Sequence, residues 1–225
     1  ESFYELHTVA HSPLWSLILS ATSLACLFLS GSGLLAWWRR QRLARLLPDN
    51  APAAQAETIV LVGSQGGSTW AYARQLHSQL VASGVRVHSA SMNQLQPSYP
   101  QAKRLLILTA TYGDGQAPDS ARAFLARLDQ CQLNTDVQVA VLGFGDAQFQ
   151  HFCGYAEQVQ QQLQQRGLQA LLPLQTIDRG DLGELNGWAQ RLGQTRGLDL
   201  HFPPVRNVVA LQQLQLLSKE VYGQH

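Results

Sequence analysis

Residues 59–70 read Ile-Val-Leu-Val-Gly-Ser-Gln-Gly-Gly-Ser-Thr-Trp, an apolar run that passes directly into a turn of glycine and hydroxyl residues. From Trp70 to Val81 apolar residues recur at helical spacing, so the pattern predicts a buried strand, a turn and a helix. The N–H groups and the positive dipole end of such a helix point into the turn, which makes it a candidate phosphate site. The turn matches neither the Walker loop nor the G-x-G-x-x-G spacing, and an ordinary strand–helix turn is the alternative.

The same strand–turn–helix order repeats along the chain. Because Pro173 cannot donate to a sheet ladder, the fifth predicted strand is expected at an edge. The alternation predicts an α/β fold with an open, doubly wound parallel sheet, in which ligands bind at the carboxyl ends of the strands. Strands are predicted at residues 59–62, 85–89, 105–108, 137–142 and 171–174, with helices between them and a last helix at 182–192.

Three predicted strands end in loops that are rich in glycine, hydroxyl, aromatic and acidic residues. Besides the first turn, these are residues 109–115 (TATYGDG) and residues 143–146 (GFGD). Because parallel strands end at the same edge, we expect the three loops to converge on one ligand with a phosphate and a flat ring. A response-regulator-like domain would need acidic residues at the first and third strand ends, where the sequence has Gly63 and Thr109.

Residues 14–38 carry no charge and are predicted to form one transmembrane helix. A helix of this length spans roughly 37 Å, enough to cross a hydrocarbon core of about 30 Å with some tilt. Four arginines (Arg39, Arg40, Arg42, Arg45) follow the apolar run, whereas a cleaved signal peptide carries its basic residues before it. The positive-inside rule then predicts a single span in the inner (cytoplasmic) membrane, with the following domain in the cytoplasm.

Two segments flank this span. Residues 1–13 are predicted to be an extracytoplasmic flank, in which His7 and His11 share a helix face as candidate haem or metal ligands. Two interfacial histidines are the alternative interpretation. Residues 39–56 are predicted to be a basic juxtamembrane segment and a polar linker, rich in proline and alanine, that frees the next domain from the bilayer.

Charge and cysteine content argue against other classes of protein. The formal net charge is +1, which indicates no nucleic-acid partner. The three cysteines, Cys26, Cys131 and Cys153, lie far apart and indicate reduced thiols rather than a disulfide or zinc framework. The sequence contains no acid–base or nucleophilic constellation, so no catalytic residue is assigned.

Three loop sequences, GSQGGSTWAYA, LTATYGDGQAPDSA and LGFGDAQFQHFC, resemble the FMN loops of flavodoxin-like domains, above all those of the diflavin reductases. The resemblance covers about residues 57–192 and implies a flavodoxin-like five-stranded sheet in the order 2-1-3-4-5, with 57–194 as the FMN-binding domain. In diflavin reductases an FAD- and NADPH-binding domain follows. We therefore expect residues 195–225 to be a connector toward such a partner domain, without which the chain is an incomplete oxidoreductase.

The resemblance also implies which residues contact FMN. Gly66 replaces the threonine usual in the family, which removes one phosphate hydroxyl, and Phe149 replaces a second stacking tyrosine. Gly66 keeps a second hypothesis open, a membrane-tethered binding or assembly module without bound FMN. The implied contacts are Ser64, Gln65, Gly66, Gly67 and Ser68 at the phosphate, Ala110, Thr111, Tyr112 and Gly113 on one side of the isoalloxazine, Gly143, Gly145, Asp146 and Phe149 on the other, and Asp178 near the ring.

The N-terminal span is similar to the last helix of PepSY-associated membrane proteins, on the strength of Leu6-His7, the apolar run and residues 37–40 (WWRR). Some proteins of this type carry a cytoplasmic diflavin reductase. The similarity implies other transmembrane helices as partners and His7 as a haem ligand. Together the two resemblances predict a membrane-anchored FMN module that passes single electrons to a membrane haem or another acceptor, with ferric-siderophore reduction as one candidate role.

Overall fold

A computed structural model of the protein describes residues 13–43 and 47–204. The first element, α1 (Pro13–Leu43), is one continuous helix of 31 residues. Its 21-residue segment Trp15–Leu35 is long and apolar enough to cross a membrane, and none of it is buried inside the protein. His7 and most of the predicted C-terminal connector, residues 205–225, lie outside the described residues, as do residues 44–46.

The sheet confirms the doubly wound order 2-1-3-4-5, with every strand pair parallel. The predicted strand at 171–174 is wrong: the fifth position is shared by two short strands that both pair with the fourth, and Pro173, which has no N–H, falls in the break between them. The strands are β1 (Thr58–Gly63), β2 (Val87–Ser91), β3 (Arg104–Ala110), β4 (Gln138–Gly145), β5 (Gln169–Ala170) and β6 (Gln175–Asp178).

Four helices cover the two faces of the sheet. Because β1, β3 and β4 are buried on both sides, alternate residues of each strand enter separate cores, which explains the continuous apolar runs in the sequence. Gly84 and Gly167 follow two of the helices with φ of 78° and 74°, the left-handed conformation with which glycine ends a helix. The helices are α2 (Ser68–Ala82), α3 (Phe124–Gln130), α4 (Gly154–Gln165) and α5 (Leu182–Gln194).

Residues 47–56, here called the strap, pack along the open edge of β2. Residues 48–56 of the strap belong to the predicted polar linker, and in the structure this segment packs against the domain. Ala51 N–H donates to Val87 O at 2.9 Å, and the Asn50 side chain exchanges two hydrogen bonds with the backbone of Ser89. An edge strand leaves backbone groups without partners, and the strap satisfies several of them.

The packed region also continues past α5. Leu200 and Phe202 are buried in the core that α2 and α5 cover. The Gln79 side chain forms two hydrogen bonds with the backbone of His201, at 2.7 and 3.0 Å. The predicted domain end at residue 194 therefore falls inside the packed region.

Candidate functional site

Three loops leave the sheet side by side at its carboxyl edge. Gly63 at the end of β1 is in register with Thr109 in β3, and Thr109 is in register with Gly143 in β4. The loops that follow β1, β3 and β4 are therefore neighbours, as the sequence predicts. Asp178 joins them because β6 pairs with β4 and ends opposite Gly145.

The turn after β1 is built as an anion cradle at the start of α2. Gly67 has φ of 94°, a left-handed conformation that glycine adopts without strain, and it forms the N-cap of α2. Ser64 Oγ accepts a hydrogen bond from Gly67 N–H at 2.9 Å, which fixes the curvature of the turn. A Cβ placed on Gly66 would meet no heavy atom within 4 Å, so the turn is open at this position. Thr69 Oγ1, in the first turn of α2, is buried and has no partner among the described residues.

Two residues that sequence reasoning missed, Asp119 and Ser120, support this turn. Ser64 N–H donates to Ser120 Oγ at 2.7 Å, and Ser120 Oγ donates to Ser64 O at 2.9 Å. The Gln65 amide bonds both the backbone N–H and the carboxylate of Asp119, each at 2.7 Å. The Gln65 side chain is therefore bound to the neighbouring loop through both its Nε2 and its Oε1, while the contact of Gln65 with a phosphate stays a prediction.

The loop after β3 presents a half-exposed aromatic ring. Tyr112 and Gln116 exchange two backbone hydrogen bonds, at 2.9 and 2.8 Å, which close a tight loop over the three residues between them. Gly113 and Gly115 in that loop have φ of 52° and 87°. Tyr112 is 47% exposed, so its ring is accessible for stacking on a ligand. Thr111 Oγ1 lies just before it, buried and unpartnered within the described chain.

The loop after β4 presents the second ring, on Phe149, which is 54% exposed. Asp146 shapes this loop: its carboxylate accepts from Gln148 N–H at 2.9 Å, and its carbonyl accepts from Phe149 N–H at 3.1 Å. Asp178 Oδ1 accepts from Ala147 N–H at 2.9 Å, so Asp178 also holds the loop. Both carboxylates thus position the Phe149 ring, whatever further role they have near a ligand.

Two of the predicted ligand-lining glycines serve the packing of α4. A Cβ on Gly143 would lie 2.6 Å from Ala156 Cβ, and one on Gly145 would lie 3.0 Å from Cys153 Sγ. Gly143 is also buried within β4. The glycines let α4 approach β4 closely, and this approach sets the position of the loop that carries Phe149.

A pair of side chains joins the two aromatic loops. His151 Nδ1 lies 2.8 Å from Asp114 Oδ1. The hydrogen bond from His151 lowers the pKa of the Asp114 carboxyl below its ordinary range. Asp114 and His151 lie in two of the three loop sequences that suggested the site, but neither sequence indicates that the two side chains form a hydrogen bond.

The thiols and the metal candidates add little to this site. Cys131 and Cys153 are buried and unbonded, and burial raises the pKa of Cys153 to about 12, so its thiol stays protonated. Within residues 13–43 and 47–204, no group of three His, Cys, Asp or Glu side chains could hold a metal ion.

Comparison with known proteins agrees with this geometry. The family model described as Flavodoxin matches residues 60–188. The chain belongs to the flavodoxin family. The fold of this flavodoxin domain is shared by oxidised flavodoxin 1 from Bacillus cereus, with a TM-score of 0.52 and 20% identity over 60% of this chain and 96% of that one. A cysteine-to-alanine mutant of flavodoxin from Pseudomonas aeruginosa gives a TM-score of 0.51 and 22% identity over 63% and 97%.

Sequence relatives of the flavodoxin domain are parts of larger reductases. The sulfite reductase (NADPH) flavoprotein alpha-component of Shewanella sp. strain ANA-3 is 38% identical over 141 residues, which is 60% of this chain and 23% of the relative. NADPH–cytochrome P450 reductase of Rattus norvegicus is 32% identical over 123 residues, 52% of this chain and 18% of the relative. The matched region thus spans less than a quarter of either relative.

The described residues fit FMN, the cofactor that the family implies. An open turn at a helix N-terminus suits the phosphate, and two exposed rings on neighbouring loops suit a flat tricyclic ring. Within the described residues, the buried hydroxyls of Thr69, in the first turn of α2, and Thr111, in the loop after β3, have no hydrogen-bond partner, and both lie in segments that such a ligand would contact.

Proposed function

We propose that the flavodoxin domain binds FMN and serves as the one-electron transfer module of a diflavin-type reductase. The observation that carries the proposal is the placement of an anion-binding turn and two exposed aromatic rings, Tyr112 and Phe149, on neighbouring strand ends. FMN, when bound, supplies the redox chemistry, accepting two electrons and releasing them singly.

The residues of the chain bind and orient the cofactor. The phosphate is held at the N-terminus of α2 by the turn 64–68, where backbone N–H groups and the helix dipole favour an anion. Tyr112 and Phe149 cover the ring and exclude water from it. The carboxylates of Asp114, Asp146 and Asp178 place negative charge around the ring, which opposes a further negative charge and favours electron release.

The partners of the module follow from the resemblance and the relatives. Both relatives named above are NADPH reductases, which supports an FAD- and NADPH-binding domain as the electron donor. The apolar helix α1 supports anchoring in the inner membrane, beside further transmembrane helices of a PepSY-type bundle. In this proposal the electron acceptor is a haem in that bundle, with His7 as a candidate ligand. The haem then reduces a ferric siderophore on the outer side of the membrane.

The alternative is a membrane-tethered binding or assembly module without FMN. Gly66 favours it, because the turn lacks the hydroxyl that a threonine would supply at that open position. The two hypotheses differ in one measurable property, which is FMN occupancy.

FMN binding is tested with the full chain purified in detergent and titrated with FMN. The expected result is a yellow protein that quenches flavin fluorescence at a 1:1 ratio. Replacing both rings, Tyr112→Ala with Phe149→Ala, should abolish the quenching, whereas the remote variant Gln162→Ala, at a half-buried position on α4, should retain it. A colourless chain that takes up no added FMN would overturn the proposal and favour the module without cofactor.

Membrane anchoring is tested separately, by alkaline extraction of membranes from cells that express the full chain. A chain that spans the bilayer stays in the membrane pellet. The variant Leu24→Arg with Leu27→Arg, which places two charges in the exposed apolar segment, should shift the protein to the supernatant. Extraction of the unmodified chain into the supernatant would contradict anchoring without affecting the FMN proposal.

A further inference from the structure

We propose that Asp114 and His151 form a latch that holds the Tyr112 loop against the Phe149 loop and thereby sets the affinity of the site for FMN. The inference deepens the proposed FMN-binding function. The two residues act through the loops they join and are positioning residues. The latch consists of these two side chains alone.

The latch spans two loops that the sequence separates by 37 residues. Asp114 lies in the tight loop after β3, and its Oδ1 is 2.8 Å from Nδ1 of His151 in the segment after β4. Tyr112 precedes Asp114 by two residues, and Phe149 precedes His151 by two residues. A contact at these positions therefore fixes both rings relative to each other through very short stretches of backbone.

Backbone packing places the two loops in contact beneath the latch. Gly115 has φ of 87°, and a Cβ added to it would lie 3.0 Å from His151 Cβ. A Cβ on Gly154 would lie 3.3 Å from Gly115 Cα. The nearest of these contacts is to the Cβ of His151, and the ring atom Cγ lies farther away, at 3.6 Å, so His151→Ala removes the latch and keeps the closest packing contact.

The latch contributes to local order rather than to global stability. The two side chains are 58% and 59% exposed, and exposed ion pairs contribute little to the free energy of unfolding. Two backbone hydrogen bonds between Tyr112 and Gln116 close the base of the loop, and the latch adds a contact at its tip, which restricts the remaining motion of residues 113–115. A site whose rings are held in place before binding loses less entropy when the ligand enters.

The first test measures the FMN dissociation constant of the full chain in detergent at pH 7, by fluorescence quenching. Asp114→Ala and His151→Ala are each expected to raise the constant by about two- to fivefold, the range of an exposed pair. The double variant should bind no more weakly than either single variant, because both remove the same contact. His151→Gln keeps an N–H donor and should recover part of the loss.

A matched control exists on the opposite part of the domain. Asp129 Oδ1 accepts from Gln162 Nε2 at 2.8 Å, an exposed side-chain contact between two segments separated by 33 residues. Asp129→Ala removes a comparable contact far from the aromatic loops. It should leave FMN affinity unchanged, which separates the latch from a general effect of lost surface hydrogen bonds.

The second test does not depend on FMN. Hydrogen exchange of the peptide that covers residues 110–117 should become faster in Asp114→Ala and His151→Ala, and stay unchanged in Asp129→Ala. Unchanged hydrogen exchange in the latch variants would overturn the latch. So would a double variant whose loss of FMN affinity equals the sum of the losses in the two single variants. If the unmodified chain does not bind FMN, the proposed function and the effect of the latch on FMN affinity are both overturned. Faster hydrogen exchange in the latch variants would then still show that the contact orders the Tyr112 loop.

Discussion

The side chain of Asn50 pairs with the backbone of Ser89 as a neighbouring strand would. Ser89 N–H donates to Asn50 Oδ1 at 2.7 Å, and Asn50 Nδ2 donates to Ser89 O at 3.1 Å. The strap between the apolar helix and the first strand is thereby fixed to the edge strand β2 close to where it enters the flavodoxin domain. A substitution that weakens the strap is therefore expected to lower the stability of the domain through the loss of contacts with β2.

Replacing Asn50 with alanine should loosen the strap and destabilise the domain. Both hydrogen bonds are lost, and Ser89 N–H and C=O remain in a partly buried position, so we expect a loss of about 1–2 kcal/mol in the free energy of unfolding. Urea unfolding of the full chain in detergent measures this loss. Asn134→Ala removes one long amide contact, at 3.4 Å, and serves as the control with a smaller effect. Equal stability of Asn50→Ala and the unmodified chain would show that the strap contributes nothing.

Threonine at position 66 should strengthen FMN binding. A Cβ on Gly66 meets no atom within 4 Å, and Gly66 is not among the glycines with positive φ, so the side chain is accommodated without strain. Its hydroxyl adds one donor at the phosphate, and we expect Gly66→Thr to lower the FMN dissociation constant by about two- to tenfold. Fluorescence titration measures this change.

Position 67 provides the matched control for that substitution. Gly67 has the same open surroundings, but its φ of 94° is unfavourable for a β-branched residue. Gly67→Thr should therefore weaken FMN binding and destabilise the start of α2. Tighter FMN binding in both variants would contradict this expectation, because it would show that an added hydroxyl strengthens binding regardless of the backbone conformation at its position.

Alanine at position 143 should destabilise the domain without touching the ligand. The new methyl group would lie 2.6 Å from Ala156 Cβ, in the buried contact between β4 and α4. Overpacking of this kind costs about 1–3 kcal/mol, because strand or helix must shift. Thermal unfolding with and without FMN measures the loss, and Gly66→Ala, which adds a methyl group in open space, is the control within about 0.5 kcal/mol.

The parallel α/β sheet and the location of the site could be predicted because both depend on local composition, whereas the strand order 2-1-3-4-5 was implied by the resemblance to flavodoxin-like domains. Strands β1, β3 and β4 are buried on both faces, so each has to be a continuous apolar run, and such runs are visible without a structure. Glycine, hydroxyl and aromatic residues at the ends of these strands then mark one edge. The topology of a parallel sheet places those ends together without any knowledge of side-chain contacts.

The contacts that hold the site in place could not be predicted, because they join distant parts of the chain. Gln65 pairs with Asp119 across 54 residues, and neither residue type signals such a partner. The strap has the composition of a linker and lacks periodicity, yet it finds hydrogen-bond partners on an exposed sheet edge. Pro173 indicated only a sheet edge, and neither the break in the ladder at this residue nor the short strand that follows it at Gln175–Asp178 could be predicted from the sequence.

His77 is expected to make the stability of the domain depend on pH. It is buried, with Nδ1 2.8 Å from Ser89 Oγ and Nε2 3.3 Å from the carbonyl oxygen of Pro48 in the strap. In the neutral ring Nε2–H donates to Pro48 O and Nδ1 accepts from the Ser89 hydroxyl, so both nitrogens have partners. Burial lowers the pKa of His77, and the hydrogen bond to Pro48 offsets this only in part.

The direction of the pH effect follows from that lowered pKa. In the unfolded chain His77 takes up a proton at its ordinary value of about 6.5, whereas in the folded domain it stays neutral to lower pH. At pH values between the pKa of His77 in the folded domain and its pKa in the unfolded chain, the unfolded state binds more protons. The free energy of unfolding therefore falls as pH decreases, by at most about 1.4 kcal/mol per pH unit. Urea unfolding between pH 7.5 and 5 measures this slope, which should be shallower in His77→Gln. His201, which is exposed and bonded through its backbone, provides the control variant His201→Gln with an unchanged slope. An equally steep slope in His77→Gln would assign the pH dependence to other groups.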